Sequence, residues 1–273
     1  MKISLVILAT LIQSYSFALW PDLSIPTKKD ALVTKTVTTI NKLKRDSIKF
    51  LNWNIYKGKK TNWARDFESL AQRYDIITLQ EIITTPAVED SLERLDDFQR
   101  VYAYSFKYNK DQSYTGLATL SKINAIESRY RASTDLEPIT NTPKVSLYTK
   151  YEIENSKEKL LVANIHSINF VSTQAFKNQL EQVYEELEKH KGPIILVGDF
   201  NTWSSRRLIS LYLMAKELNL APVIFKPDTR KKIMGLALDH IFTRGLSLEQ
   251  ARSMDEIKSS DHVAMEIEFS LID

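Results

Sequence analysis

No cysteine occurs in the 273 residues, which excludes disulfides, thiolate metal sites and cysteine nucleophiles together. Glycine and proline are few, at six and eight residues, so collagen-like, low-complexity and largely disordered readings fall away. No apolar run approaches the roughly 20 residues that a membrane-spanning helix needs. What remains is an ordinary globular composition, 43% hydrophobic and 26% charged. A chain of this length buries a sizeable core without covalent staples.

The N-terminus departs from that pattern. Lys2 precedes the apolar stretch Ile3 to Ile12, and Ser16-Phe17-Ala18 follows it. A basic residue, a short apolar region and a small-x-small site in that order describe a secretory signal peptide over residues 1–18. The expectation is an exported protein, periplasmic or secreted. Residues 19–46 read as an extended N-terminal segment punctuated by Pro21 and Pro26, and residues 47–273 as one domain with no internal repeat or linker. Net charge is only +3, but it is unevenly spread. Thr27 to Lys60 holds ten Lys/Arg against two Asp, and Phe200 to Lys232 holds seven basic against two acidic residues. Such asymmetry suits a phosphate-rich ligand.

From Ile48 the chain alternates apolar strands with helical stretches. Ile48 to Ile55 alternates as a half-buried strand does. Asn62 to Arg73 carries Trp63, Phe67 and Leu70 at helical spacing, and Pro86 to Leu95 reads as a helix with Pro in its first turn. Further strands are predicted at 75–82, 117–120, 145–153 and 159–166. A helix opens near Ser172, repeats Phe176, Leu180, Val183 and Leu187, and stops at Gly192-Pro193. Ile194 to Val197, a helix from Ser204 to Leu218, and strands at 238–242 and 263–269 complete one α+β domain.

The chemistry sits where apolar strands end in polar residues. Asn54, Glu81 and His166 each follow a hydrophobic run, as do Asp199 and Asn201 after Ile194 to Gly198; Asp239 and the pair Asp261-His262 precede such runs. Strand ends open onto loops that a rigid scaffold aims toward one rim. Singly, each residue has a structural explanation; their combination in one chain weighs against it. Oxygen donors without thiolates favour a hard cation over zinc.

The ordered segments LNWNIYKG, DIITLQEI, ANIHSINF, ILVGDFNTW, LDHIF and SSDHVAMEI resemble the endonuclease/exonuclease/phosphatase superfamily, the fold of pancreatic deoxyribonuclease. The resemblance spans Ile48 to Phe269 and implies a four-layer α/β/β/α sandwich of two packed mixed β-sheets flanked by helices. It implies Mg²⁺, or Mn²⁺ or Ca²⁺ in its place, held by Glu81 with Asn54 and Asp261. It also implies that Asp199, held by Asn201, orients or deprotonates the attacking water. His262, aligned by Asp239, would bind or protonate phosphate oxygens, and His166 would assist the leaving oxygen. Neighbouring carboxylates are expected to raise the proton affinity of both histidines; the partner of His166 is left open, with Asp111 a candidate.

Lys57 follows the Asn54 strand and Arg206 and Arg207 follow Asn201, so all three are candidates for tracking a polyanion backbone. The leading expectation is a monomeric, low-specificity nuclease acting on DNA or RNA as its nucleic-acid partner. The alternatives are a phosphatase or phospholipase of the same superfamily, sphingomyelinase-like members included, and a catalytically silent binding module.

Overall fold

A computed structural model describes residues 22–272; the signal-peptide reading at 1–18 lies outside the described residues. The principal strands are β1 (Ile48–Asn54), β2 (Ile76–Ile83), β3 (Gln99–Tyr108), β4 (Tyr114–Ser121), β5 (Glu127–Ala132), β6 (Val145–Ile153), β7 (Lys159–His166), β8 (Ile194–Asp199), β9 (Asp239–Arg244), β10 (Leu246–Met254) and β11 (Ala264–Leu271). The principal helices are α1 (Trp63–Ala71), α2 (Pro86–Glu93), α3 (Thr173–Leu187) and α4 (Ser205–Glu217).

Two mixed sheets result. The first runs β3-β4-β2-β1-β11-β10, with Leu23–Ser24 and Leu32–Lys35 both pairing with β3. The second runs β9-β8-β7-β6, extended by Ala221–Pro222 beside β9 and Lys42–Leu43 beside β6, with β5 also on β6. β1 with β2 and β7 with β8 are parallel pairs among antiparallel neighbours. Residues 22–46 thus add edge strands first to one sheet and then to the other.

Side-chain alternation along each strand divides the core into layers. In β1, Ile48 and Phe50 meet Val162, Val197 and Ile241 of the second sheet. Leu51 and Trp53 face the other way, under Trp63, Phe67 and Leu70 of α1 and Val88 and Leu92 of α2. On the far side, Phe176, Leu180 and Val183 of α3 and Leu211 and Met214 of α4 cover Ala163, Ile165 and Leu196. Each large side chain buried here contributes about 1.5–3 kcal/mol. The order helix, sheet, sheet, helix is the sandwich expected.

Helix ends follow local rules. Ser172 caps α3, its hydroxyl accepting from the Ala175 N–H at 3.2 Å. Pro86 occupies the first turn of α2, where its missing N–H costs no bond.

Candidate active site

The parallel pairs bring the polar strand ends together. Asn54 is in register with Gln80, so Glu81 lies one residue beyond it on the adjoining strand. His166 is in register with Asp199, and Asp199 with Asp239. All three therefore leave one edge of the second sheet side by side, opposite Asn54 and Glu81 of the first.

Asp199 is the centre of the cluster and is buried. Its Oδ2 accepts from Asn54 Nδ2 at 3.0 Å and its Oδ1 from the Asn201 N–H at 2.9 Å. Oδ2 is also 3.7 Å from Nε2 of both His166 and His262. His262 Nδ1 lies 2.8 Å from Asp239 Oδ2. Asn201, at a φ of 49°, donates from Nδ2 to the Ser167 carbonyl at 2.9 Å and so ties together the loops after β8 and β7.

The two histidines differ sharply. Burial works against charge on His262, but the Asp239 and Asp199 carboxylates outweigh it and push its pKa up to about 9. Burial pulls His166 well below the usual histidine range, and Lys144, His262 and Lys57 add to the effect. The expectation that both rings gain proton affinity thus fails for His166: Asp111 sits in the β3–β4 turn, accepting from Ser113 N–H and hydroxyl. Burial raises Asp199 to about 6; the His262 cation opposes that shift, while the charges of Asp239 and Glu81 add to it.

Glu81 is placed by a β-bulge. Gln80 pairs with Leu117 and Ile82 with Gly116, leaving Glu81 as the extra residue at a φ of 54°. Its carboxylate makes no hydrogen bond or ion pair with any described residue. Asp261 is half-buried, its Oδ2 held by Lys231 Nζ at 2.5 Å and its Oδ1 buried with no partner. A carboxylate without a partner, beside an amide oxygen and other acids, fits a hard cation. Asp199, Asp239 and His262 also offer ligand atoms within 4.8 Å of one another. In that group His262 Nδ1 is engaged by Asp239, and its Nε2, 3.7 Å from Asp199 Oδ2, is the remaining ligand atom.

Several supporting residues escaped the sequence reading. Asn52 Oδ1 accepts from Thr78 Oγ1 at 2.9 Å and Gln80 Nε2 at 2.7 Å, and Gln80 Nε2 reaches Asn164 Oδ1, also at 2.7 Å. This buried network links three strands one or two residues before Asn54, Glu81 and His166. Ser260 donates its hydroxyl to the Asn54 carbonyl at 2.6 Å, and Trp53 Nε1 donates to the His262 carbonyl at 3.1 Å. The available signal was polar residues inside otherwise apolar runs: LNWN, TLQE and VANIH.

The basic candidates separate. Lys57 lies at the rim, its Nζ 2.8 Å from Tyr108 OH, and Arg206 is exposed. Arg207 does not face a ligand: it is 1% exposed, and its guanidinium donates to the carbonyls of Ile168, Asn201 and Val171. Its place in the amphipathic period of α4 turns it inward.

The model of the Endonuclease/Exonuclease/phosphatase family matches residues 51–262. The chain belongs to that family. A UPF0294 protein of Vibrio cholerae serotype O1 is 34% identical over 227 residues, 82% of this chain and 78% of that protein. Among solved structures, an endonuclease/exonuclease/phosphatase family protein from Leptotrichia buccalis has a TM-score of 0.64 at 16% identity, covering 82% of this chain and all of that one. The human Nocturnin catalytic domain with bound sulfate has a TM-score of 0.63 at 18% identity, covering 92% and 98%. Family members are phosphoric ester hydrolases, and the site described spans the matched residues.

Proposed function

We propose that the protein is an exported, monomeric, divalent-metal-dependent phosphodiesterase that hydrolyses nucleic acid with little sequence preference. The observation that carries the hydrolytic part is Asp199, fixed by Asn54 and the Asn201 N–H while facing the Nε2 atoms of both histidines. Lys57 at the rim, with Arg206 exposed on α4, supports a polyanionic substrate.

Glu81 and Asn54, with Asp261, would hold the cation. When bound, Mg²⁺, or Mn²⁺ or Ca²⁺ in its place, supplies positive charge to a phosphoryl oxygen. Asp199, ionised at neutral pH with a pKa of about 6, orients and deprotonates the attacking water, as a base titrating near the working pH does best. His262, protonated below about 9, donates from Nε2 to a phosphoryl oxygen while Asp239 holds its Nδ1–H. His166 is neutral and serves as a hydrogen-bonding group toward the leaving oxygen rather than as a cationic acid.

The test is turnover of plasmid DNA, RNA, sphingomyelin and phosphoinositides with Mg²⁺ or with EDTA. The expected result is Mg²⁺-dependent cleavage of DNA or RNA that disappears in Asp199→Ala. Turnover confined to the lipids, or nucleic-acid cleavage unaffected by EDTA, overturns the assignment.

A further inference from the structure

The cleft between the sheets continues past the catalytic cluster. Along the second sheet Asp239, Asp199 and His166 stand at the ends of β9, β8 and β7, and the next strand, β6, begins just after Lys144. Along the first sheet the strands beyond β2 are β4 and then β3. At this level both neighbours of β4 bulge. Glu81 is the extra residue on one side and Ser105, between the paired Tyr104 and Phe106, is the extra residue on the other. Gly116 lies between the two bulges, and a Cβ there would fall 2.1 Å from the Ala103 carbonyl oxygen. No side chain can occupy that position.

The double bulge opens a cavity of about 60 Å³, with Glu81 and His166 on its catalytic side and Lys57 and Lys144 among its walls. That is several times the space one water requires. The hydroxyls that line it are committed: Ser105 donates to the Pro143 carbonyl and Thr115 to the Ile82 carbonyl. The two ammonium groups are not. Lys57 Nζ lies over the Phe106 and Tyr108 rings and uses one contact, to Tyr108 OH. Among the described residues Lys144 Nζ makes only an ion pair to Glu137 at 3.5 Å, in side chains 16% and 14% exposed. Each ammonium has three donors, and both project charge far enough to depress protonation of His166. Of the facing acids, Glu81 is the one assigned to the cation and Glu137 sits behind Lys144.

We propose that this cavity binds a second phosphoryl group of the substrate, the one next to the group being hydrolysed. Two lysines on one small cavity match a phosphoryl dianion in charge, where a carboxylate would neutralise only one. A cavity this small holds one phosphoryl group and leaves no room for a continuing backbone, so cleavage is favoured beside phosphorylated termini. This rests on the phosphodiesterase reading above.

Two measurements on the full chain test it. Inorganic phosphate titrated in Mg²⁺, so that the Glu81 charge is met, and followed by ³¹P NMR, should bind wild type, lose at least about 10-fold in affinity in Lys144→Met, and recover in Lys144→Arg. Equal affinity in wild type and Lys144→Met, or no binding to wild type, overturns the pocket. This arm needs no turnover, so its failure is separate from failure of the hydrolase assignment. With Mg²⁺, kcat/KM is compared for dinucleotides with and without a terminal phosphate, at the 5′ and the 3′ end in turn. Wild type should prefer one phosphorylated form by at least about 10-fold, through KM, and Lys144→Met should bring that ratio below about 3-fold. A preference that survives Lys144→Met, or none in wild type, overturns the proposal.

Discussion

The dipeptide Asp-His occurs twice, at 239–240 and 261–262, and the fold uses the two in opposite ways. Asp239 opens β9 facing the cleft, so strand alternation turns His240 to the other face. There it packs among Phe200, Tyr212 and Phe242. Its Nε2 lies 2.7 Å from Thr202 Oγ1 and 3.1 Å from the Ala237 carbonyl. A carbonyl only accepts, so Nε2 carries the hydrogen. Burial and the Arg230 charge lower this ring to about 4, although Asp239 and Asp228 oppose them. In the second dipeptide the histidine faces the site, and it takes its carboxylate partner from the first. The first pair therefore sends its histidine into the core and only its carboxylate to the site, while the second sends its histidine to the site, and the environment decides which.

The largest expected effect comes from exchanging those fates. His262→Ala should lower kcat by about 10²–10⁴-fold, the usual worth of a positioned acid–base group, in a protein that remains folded. His240→Ala should do the reverse, costing about 2–4 kcal/mol of stability through a cavity and unpaired polar groups, while the folded enzyme retains its rate. Single-turnover kinetics beside thermal unfolding of both variants check this. Equal rate losses would dissolve the distinction.

Asp239→Asn breaks the link between the dipeptides. It leaves His262 desolvated without the anion at Nδ1, so the ring should lose protons well below 9. The alkaline limb of kcat/KM should move acidward and the neutral rate fall by about 10²-fold or more. The acid limb, set by Asp199 near 6, should move less than the alkaline one, because losing the Asp239 charge lowers Asp199 while weakening the opposing His262 cation raises it. A pH–rate profile in which the alkaline limb does not move would separate His262 from that titration.

The stability profile sharpens the contrast. His240 has a folded pKa below its unfolded value, so the unfolded chain takes up the proton first. Stability is then lost as pH falls from about 6.5 toward 4, by up to about 1.4 kcal/mol per pH unit. His262 has a folded pKa above its unfolded value. Its contribution is complete below about 6.5 and lost as pH rises through about 9. Urea unfolding of wild type and His240→Phe across pH 4–7 should show a shallower acid slope in the variant.

Much of this arrangement was legible because strand ends combine apolar runs with polar termini. The periodicity placed β1, β6, β7 and α4 within a residue or two of their observed ends, and the start of α3 as well, although α3 ends at Leu187, short of the expected stop at Gly192-Pro193. Three of the principal strands were not read. β10, LSLEQARSM, is polar and mostly exposed along an edge; its Leu, Glu, Gln and Ala favour helix, and pairing with β11 overrides them. β5, ESRYRA, is an equally polar strand, held by pairing with β6. β3 is buried through eight of its ten residues, from Gln99 through Phe106, so two-residue alternation of polarity is blurred. At the site, residue identities could be read from sequence, but not the direction in which each faces. Which histidine would be charged depended on burial and on which ring the carboxylates of Asp239 and Asp199 face, and the local sequence sets neither.

The smallest effects concern the neighbours Arg206 and Arg207, which repeat the lesson on a helix. A step of one residue along α4 turns Arg207 under the loops while Arg206 stays outside. Its guanidinium stacks 4.6 Å over the Phe176 ring and 4.9 Å from Trp203, and burial lowers its pKa to about 10, with Glu137 opposing. Arg207→Met should strand three carbonyls of the loops after β7 and β8 and cost about 2–3 kcal/mol, read by urea unfolding. Arg206→Ala should change stability by no more than about 0.5 kcal/mol. On nucleic acid it should reduce the salt dependence of binding by about one unit of log–log slope. If Arg206→Ala leaves that slope untouched, the polyanion must approach from the Lys57 side of the cleft.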